Sequence, residues 1–168
     1  MNADQHWVFA YGSNMNLQDL RRWFARGSYS APCIERVERA TLHDHRLVWN
    51  YYSSSRKAGA ANVERAPGYS LPGIALLVDE DTLKAIDSKE GHPSYYSRGM
   101  ATVPVQLQDG IEVAAWLYVA VPARCTNTTQ PPTSAYLDLL IHAAEEHELP
   151  NEHIALLKAT PTAEGINE

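Results

Sequence analysis

The stretch WVFAYGSNMN at residues 7–16 decides how the chain begins to fold. Its first four residues are apolar and have the length of a short buried strand, which Gly12 ends. Apolar side chains recur behind this turn at the three- and four-residue spacing of a helix: Leu20, Trp23 and Phe24. Either Asn14 or Asn16 is the expected cap of that helix. The stretch therefore predicts a strand, a Gly-Ser-Asn turn and a short amphipathic helix.

Such a turn presents backbone N–H groups at the start of a helix, where a negatively charged oxygen is stabilised. Gly12 would let a ligand approach the backbone closely because it has no side chain. The turn differs from a nucleotide-binding P-loop, since the glycines and the lysine of GxxxxGK[ST] are missing. These residues predict an anion-binding turn, but an ordinary strand-to-helix connection uses the same residue types.

The rest of the chain alternates between strand-like and helical patterns, with hairpin residues at Asp109 and Gly110. We expect strands at 40–52, 73–78, 101–107 and 112–121, a helix from Asp79 that Gly91 ends, and helices at 134–149 and 151–158, the last capped by Asn151. This order favours an α+β fold with a mixed, mainly antiparallel, barrel-like sheet flanked by short helices. We expect a single domain at residues 1–160, followed by a loose tail at 161–168.

The composition limits the partners and the location of the protein. The chain has 168 residues and a net charge of −6, which disfavours binding to nucleic acid or to an anionic membrane. It contains neither an apolar run long enough to cross a bilayer nor the basic and apolar start of a secretion signal. Its two cysteines, Cys33 and Cys125, lack CxxC spacing, so we expect reduced thiols. Together these features predict a cytoplasmic protein.

A second candidate functional feature is Glu90, which follows a short predicted helix and directly precedes Gly91. The negative end of the helix dipole and partial burial would both favour uptake of a proton by this carboxylate, as a general acid–base requires. A solvated carboxylate at the end of a helix has the same sequence context. Position alone therefore leaves both interpretations open.

Several segments of the chain resemble the γ-glutamyl cyclotransferase family. The resembling segments, in chain order, are FAYGSNM (9–15), GAANV (59–63), IDSKEG (86–91), the tyrosines at 95 and 96, PPTSAY (131–136) and LP (149–150). The first is similar to the family's signature, and the third is similar to its catalytic-glutamate segment. Each motif is short, so it is their combination and order over residues 7–158 that make the resemblance specific.

The resemblance implies intramolecular aminolysis, in which the α-amine of a γ-glutamyl group attacks its own γ-carbonyl and releases 5-oxoproline and a free amine or amino acid. It implies that Glu90 is the general acid–base and that the N–H groups of residues 12–14 receive the oxyanion of the tetrahedral intermediate. The substrate-binding residues that we expect are Tyr11, Gly12, Ser13, Asn14, Tyr96, Arg98 and Tyr136. Among them, Arg98 is the candidate partner for the substrate's α-carboxylate. No metal and no organic cofactor is implied.

Three alternative functions fit the sequence less well. A metal hydrolase is suggested by HAAEEH at 142–147, but its histidines are five positions apart, whereas the zinc motifs HExxH and HxxEH place them four apart. A serine hydrolase would need Ser13 in a GxSxG elbow, which is missing. A non-catalytic module that binds a γ-glutamyl compound or another small molecule on the same fold is the third, and the presence of Glu90 argues against it.

The sequence does not determine the leaving group, which is an amino acid, an amine, a peptide such as glutathione, or part of a biosynthetic intermediate. The expected partners are a small-molecule γ-glutamyl substrate and, as one option, a second copy of the chain in a homodimer. Neither nucleic acid nor a membrane is expected as a partner.

Overall fold

The protein folds around a closed β-barrel to which helices and a small second sheet are attached. The computed structural model describes residues 5–164. The strands are β1 (Gln5–Ala10), β2 (Ile34–Ser53), β3 (Ala58–Asp79), β4 (Tyr96–Ser97), β5 (Val103–Leu107), β6 (Glu112–Leu117) and β7 (Val119–Ala120). The helices are α1 (Leu17–Arg26), α2 (Glu80–Glu90), α3 (Ser134–Glu146) and α4 (Asn151–Lys158), with 3₁₀ turns at Ser13–Met15 and Pro122–Arg124.

The barrel has the strand order β1-β3-β2-β5-β6 and closes where β6 pairs with β1. That closing pair is parallel, with Trp7 opposite Ala115, whereas the other neighbouring strands of the barrel are antiparallel. Closure satisfies strand edges that would otherwise be open to pairing with other chains. The architecture confirms the predicted α+β class with a mixed, mainly antiparallel barrel.

Strands β2 and β3 form one long hairpin with a short turn at residues 54–57. Only the end of β3, from Ile74, also pairs with β1. The predicted strands at 40–52 and 73–78 were shorter than β2 and β3. In β3, residues 58–72 show no strand pattern in the sequence, because this stretch consists largely of small and polar residues with two prolines. A register shift between His43 and His45 accommodates these residues, so cross-strand pairing continues where the apolar pattern stops.

The predicted strand at 112–121 is divided in the structure at Tyr118. The part before it, β6, belongs to the barrel, and the part after it, β7, pairs with β4 in a separate two-stranded sheet. Because both parts have the apolar composition of strands, the sequence pattern does not reveal that they pair with different partners.

The helices α1 and α2 are capped at the residues that the sequence indicated. The Oδ1 atom of Asn16, not of Asn14, accepts a hydrogen bond from the backbone N–H of Asp19 at 3.0 Å and starts α1. Asp79 caps α2 in the same way, and Gly91 ends it in the left-handed conformation with φ 65°. The side chains of Leu83 and Ile86 are buried in the core and fix this helix against the barrel.

The last two helices differ from the prediction at their ends. Helix α3 ends at Glu146 rather than at residue 149, with Glu148 in a positive-φ conformation behind it. Asn151 does not cap α4: it is the first helical residue, and Pro150 occupies the cap position without a side-chain hydrogen bond. The side chain of proline has no oxygen that could accept a hydrogen bond from the first turn, so the helix starts without a polar cap.

The expected loose tail at 161–168 lies partly outside the described residues, since residues 165–168 are not described. Before them, the N–H of Ala163 donates to the carbonyl of Pro132 at 2.8 Å, and the carboxylate of Glu164 accepts from the N–H of Ser134 at 3.0 Å. Residues up to Glu164 thus contact the start of α3. Within the described part of the chain, none of the helices has the length and the apolar character needed to cross a bilayer.

Candidate active site

A cavity of about 530 Å³ lies where the end of β1 and the Ser13–Met15 turn meet the end of α2. Its walls contain most of the residues that the sequence indicated: Tyr11, Gly12, Ser13, Asn14, Glu90, Tyr96 and Tyr136. Arg98 is the exception and does not line the cavity. The barrel therefore brings the turn motif and the glutamate segment into one site.

Glu90 is the last residue of α2, and its side chain is only 15% exposed. The Nδ2 atom of Asn14 donates a hydrogen bond to Oε1 of Glu90 at 2.9 Å. The Nζ atom of Lys89 lies 3.7 Å from the same oxygen and donates to the hydroxyl of Ser13 at 3.2 Å. Two neighbouring residues of α2 are thus tied to two neighbouring residues of the turn, while Oε2 of Glu90 has no donor among the described residues.

In the 12–14 turn the carbonyls of Gly12 and Ser13 are occupied, whereas the N–H groups of Ser13 and Asn14 are free within residues 5–164. The carbonyls of Gly12 and Ser13 accept hydrogen bonds from the N–H groups of Met15 and Asn16, each at 3.0 Å. Within residues 5–164, no acceptor pairs with the backbone N–H of Ser13 or Asn14, as expected at the start of a helical turn. These two donors are therefore available to a ligand.

Gly12 borders the cavity. Its backbone conformation does not require a glycine, because a φ of −118° is open to any residue. A Cβ atom at this position would lie 3.5 Å from both the Cβ of Ala61 and the hydroxyl of Tyr136. The glycine therefore keeps space free between the turn and the tyrosine, in agreement with the close approach of a ligand that the sequence suggested.

The three predicted tyrosines are held by hydrogen bonds to the backbone. Tyr11 donates to the carbonyl of Tyr118 at 2.6 Å, and Tyr96 donates to the carbonyl of Ala61 at 2.7 Å. The hydroxyl of Tyr136 instead accepts from the N–H of Ala61 at 3.2 Å, so its own proton is free to be donated. All three therefore shape the cavity wall, and Tyr136 has an unused donor in it.

Burial raises the pKa of Tyr11, of Tyr96 and of Tyr136 above that of a free phenol. The charge of Glu90 acts in the same direction on all three, whereas the charge of Arg56 partly opposes the shift at Tyr136. All three are thus neutral phenols at physiological pH, able to form hydrogen bonds but not to act as bases.

Arg98 is engaged elsewhere and is not brought together with the other predicted residues. Its Nε and Nη2 atoms donate to the two carboxylate oxygens of Asp87 at 2.7 and 3.0 Å, and its guanidinium lies 4.3 Å from the ring centroid of Trp116. Tyr118 also donates to Asp87, at 2.6 Å. The predicted partnership of Arg98 with the substrate therefore has no support in this geometry, because a carboxylate of the chain already occupies its donors.

Comparison with known proteins agrees with the motifs in the cavity. The family model described as gamma-glutamyl cyclotransferase, AIG2-like, matches residues 8–138, which contain both the turn and Glu90. The chain belongs to this family.

A curated relative supports the same family, and a solved structure shares the fold. A putative gamma-glutamylcyclotransferase from Methanocaldococcus jannaschii is 56% identical over 46 residues. Those residues are 27% of this chain and 37% of that protein, so the match spans less than two thirds of the curated relative. An uncharacterized protein from Homo sapiens has a similar structure with a TM-score of 0.76 and 25% identity, covering 95% of this chain and 89% of that chain.

A gamma-glutamyl cyclotransferase specific to glutathione from yeast shares the fold at a TM-score of 0.64. It is 11% identical, and the similarity covers 98% of this chain and 96% of that chain. At this level of identity the likeness concerns the fold alone.

In this member of the gamma-glutamyl cyclotransferase family, sequence reasoning missed several cavity residues, among them Tyr51, Arg56 and Lys89. Lys89 directly precedes Glu90, so its sequence position was itself a signal. Arg56 lies in the polar turn between β2 and β3, and only the length of the hairpin places that turn at the cavity. Tyr51 packs edge-on against Tyr96, with ring centroids 4.9 Å apart.

The histidines that suggested a metal site are His142 and His147 of the HAAEEH segment. Across residues 5–164 no group of three or more His, Cys, Asp or Glu side chains is placed to hold a metal ion. His147 donates through Nε2 to the carbonyl of Met15 at 2.9 Å. This hydrogen bond joins the end of α3 to the 3₁₀ turn beside the cavity, which is a structural role.

Proposed function

We propose that this chain is a γ-glutamyl cyclotransferase that releases 5-oxoproline and a free amine or amino acid from a γ-glutamyl compound. The single observation that carries the proposal is the 2.9 Å hydrogen bond between Asn14 and Glu90, residues separated by 76 positions. It joins a partly buried carboxylate to a turn with free N–H groups inside one cavity. Cyclisation needs both a group that moves a proton and a group that stabilises an oxyanion.

Glu90 moves the proton in this mechanism. The substrate's α-amine is mostly protonated at neutral pH, since the pKa of such an amine is about 8. Oε1 of Glu90 is held by Asn14, so Oε2 takes a proton from the amine. The amine nitrogen then bonds to the γ-carbonyl carbon while the carbonyl electron pair moves to the oxygen. As the old C–N bond breaks, the carboxyl group gives its proton to the departing nitrogen. The carboxylate then takes the second proton from the ring nitrogen and passes it to the released amine, so that the products are a neutral lactam and an ammonium ion. Such proton transfer contributes roughly 10²–10⁴-fold to the rate.

The turn stabilises the negative charge that forms on the γ-carbonyl oxygen. The N–H groups of Ser13 and Asn14 and the hydroxyl of Tyr136 are donors for which residues 5–164 provide no acceptor. One donor to such an oxyanion contributes about 10²–10³-fold to the rate. The walls formed by the buried Tyr11 and the partly buried Tyr96 restrict the flexible glutamyl chain, which favours the ring-like conformation that the reaction requires.

No metal and no organic cofactor takes part in the proposed reaction, because Glu90 and the turn supply its proton transfer and its charge stabilisation. The substrate is a small γ-glutamyl molecule in our proposal, and the cytoplasm remains the expected location. We withdraw Arg98 from the substrate-binding set, since Asp87 occupies its guanidinium.

The proposal is tested by incubating the protein with a panel of γ-glutamyl amino acids, amines and peptides in the presence of EDTA. We expect at least one compound to yield 5-oxoproline and the free amine in equal amounts. Calorimetry with the same panel tests the alternative function, in which the chain binds a γ-glutamyl compound without converting it. Tight binding of a γ-glutamyl compound without any 5-oxoproline would favour a non-catalytic binding module and would contradict the proposal.

A further inference from the structure

The cavity contains an arginine for which the chain provides no carboxylate partner. Arg56 lies in the β2–β3 turn and lines the cavity together with Glu90. None of the ion pairs formed within residues 5–164 involves Arg56. By contrast, the side chains of Arg36, Arg46 and Arg98 each pair with a carboxylate.

The side chain of Arg56 is held in place by an aromatic ring. Its guanidinium carbon lies 4.2 Å from the ring centroid of Tyr136, and Tyr136 is buried at 5% exposure. A guanidinium stacked on a ring in this way keeps its planar N–H donors free at the edge, where they match the two oxygens of a carboxylate. The turn thus presents a fixed, unpaired anion receptor to the cavity.

The two ends of Tyr136 separate this receptor from the reacting centre. Its hydroxyl lies beside Gly12, where an added Cβ would be 3.5 Å away, and Gly12 belongs to the same turn as the donor to Glu90. Arg56 lies over the face of the ring instead. The amine, the α-carbon and the γ-carbonyl of the substrate all belong to the ring that forms, so they must lie at the hydroxyl end. The leaving group is the part that can extend past the phenol to Arg56.

The charges around the cavity point to a substrate with an additional negative charge. Three cations line it, namely Arg26, Arg56 and Lys89, against the two carboxylates of Asp19 and Glu90. The chain as a whole has a net charge of −6, so this local excess of cations is opposite to the rest of the protein. Lys89 is engaged with Glu90 and Ser13, which leaves the arginines for the ligand.

We propose that Arg56 binds the carboxylate of the leaving group, so that the substrate is a γ-glutamyl amino acid or peptide and not a γ-glutamyl derivative of a simple amine. This inference rests on the proposed function, because the leaving group is defined by the cyclisation reaction. It assigns Arg56 as a specificity-determining residue and leaves the reacting atoms to Glu90 and the 12–14 turn.

The test compares two ligands that differ only in this carboxylate: γ-glutamylglycine and γ-glutamylmethylamine. Their dissociation constants are measured by calorimetry with the Glu90→Gln protein, in which turnover does not consume the ligand. We expect γ-glutamylglycine to bind about tenfold more tightly, the effect of one charge-assisted hydrogen-bonded pair. Adding Arg56→Gln should remove this preference while leaving the affinity for γ-glutamylmethylamine within about twofold.

Two further variants control the measurement. Arg46→Gln removes an arginine that also lies over a tyrosine ring, 5.7 Å from the centroid of Tyr69, but that is exposed and does not line the cavity. It should keep the tenfold preference. Arg56→Lys keeps the positive charge without the planar donors and should keep part of the preference. Thermal unfolding of each variant verifies that it is folded.

Three results would overturn the inference: an equal loss of affinity for both ligands, which would assign Arg56 to the shared α-carboxylate; an unchanged preference in Arg56→Gln; or equal affinity of both ligands in the starting protein. The proposed function is decided separately, by whether the wild-type protein releases 5-oxoproline from either compound. A failure of catalysis and a failure of the Arg56 assignment are therefore distinguishable.

Discussion

Two arginines that lie over aromatic rings at almost the same distance have different roles in this protein. The guanidinium of Arg56 is 4.2 Å from the ring of Tyr136, and that of Arg98 is 4.3 Å from the ring of Trp116. Arg98 is bound by Asp87 through two hydrogen bonds, whereas Arg56 has no carboxylate partner in the described part of the chain. An arginine is therefore available to a ligand only where no carboxylate of the chain already pairs with it.

The Arg98 region supports the site structurally, although neither Arg98 nor Asp87 lines the cavity. Asp87 lies on α2, three residues before Glu90, and receives hydrogen bonds from both Arg98 and Tyr118. The carbonyl of Tyr118 in turn accepts the hydroxyl of Tyr11. These contacts fix the end of α2 that carries Glu90. The Arg56 region is instead a turn whose side chain faces the cavity.

The largest expected difference between the two regions is in stability. Arg98→Ala leaves the carboxylate of Asp87, which is 17% exposed, without its charge partner, so we expect a loss of about 2–3 kcal/mol in the free energy of unfolding. Arg56→Ala removes only a stacking contact and should cost less than about 1 kcal/mol. Urea denaturation of both variants measures the difference, and equal losses would refute the distinction between the regions.

A smaller effect is expected at the ring on which Arg56 lies. Tyr136→Phe leaves the N–H of Ala61 without its acceptor but keeps the stacked ring, so we expect a loss of about 1–2 kcal/mol in the free energy of unfolding. Tyr29→Phe, at a 40% exposed tyrosine, is the matched control and should be close to neutral. The comparison would fail if both phenylalanine variants unfolded at the same denaturant concentration.

The smallest expected effect is on how the free energy of unfolding changes with pH, through Asp87 in the Arg98 region. Burial would raise the pKa of Asp87, but hydrogen bonds from Arg98 and Tyr118, together with the charge of Arg98, lower it below its usual value. Because the folded-state pKa is lowered, this group's contribution to stability is complete above the unfolded value of roughly 4. The contribution is lost as the pH falls through the folded-state value.

We therefore expect stability to fall less steeply in Asp87→Asn than in the wild type between about pH 5 and about pH 3. The measurement is the free energy of unfolding across this range. Asp138→Asn provides the control, since Asp138 is exposed and forms no ion pair within residues 5–164. Parallel curves for Asp87→Asn and the wild type would contradict the role given to the Asp87–Arg98 pair.

The elements around the site were predictable where the sequence contains strong local signals. The strand before Gly12, an asparagine cap at position 14 or 16, and the helix between Asp79 and Gly91 all follow from capping residues and apolar spacing, and the structure selects Asn16 as the cap. The full length of the β2–β3 hairpin was not predictable, because it depends on cross-strand pairing of residues whose sequence is typical of a loop. Local patterns report on single segments and not on their partners.

Local patterns also do not show which of the two arginines, Arg56 or Arg98, lines the cavity without a carboxylate partner. Arg98 follows the glutamate segment by a few positions, which makes it a candidate by position, but chain proximity does not reveal Asp87 as its partner. Arg56 lies 34 positions before Glu90 and reaches the cavity only because the hairpin returns there. A cation's role depends on which charges surround it, and that is a tertiary property.

The most direct test of the whole account is the rate of 5-oxoproline release by two variants of the same helix. Glu90→Gln removes the carboxylate in the cavity, whereas Glu80→Gln makes the same change at the exposed start of α2, where Glu80 contacts His6 and Lys84. We expect kcat/KM to fall at least about a hundredfold in folded Glu90→Gln protein and to change less than about twofold in Glu80→Gln. Equal activity of the two variants would remove Glu90 from the mechanism and contradict the account.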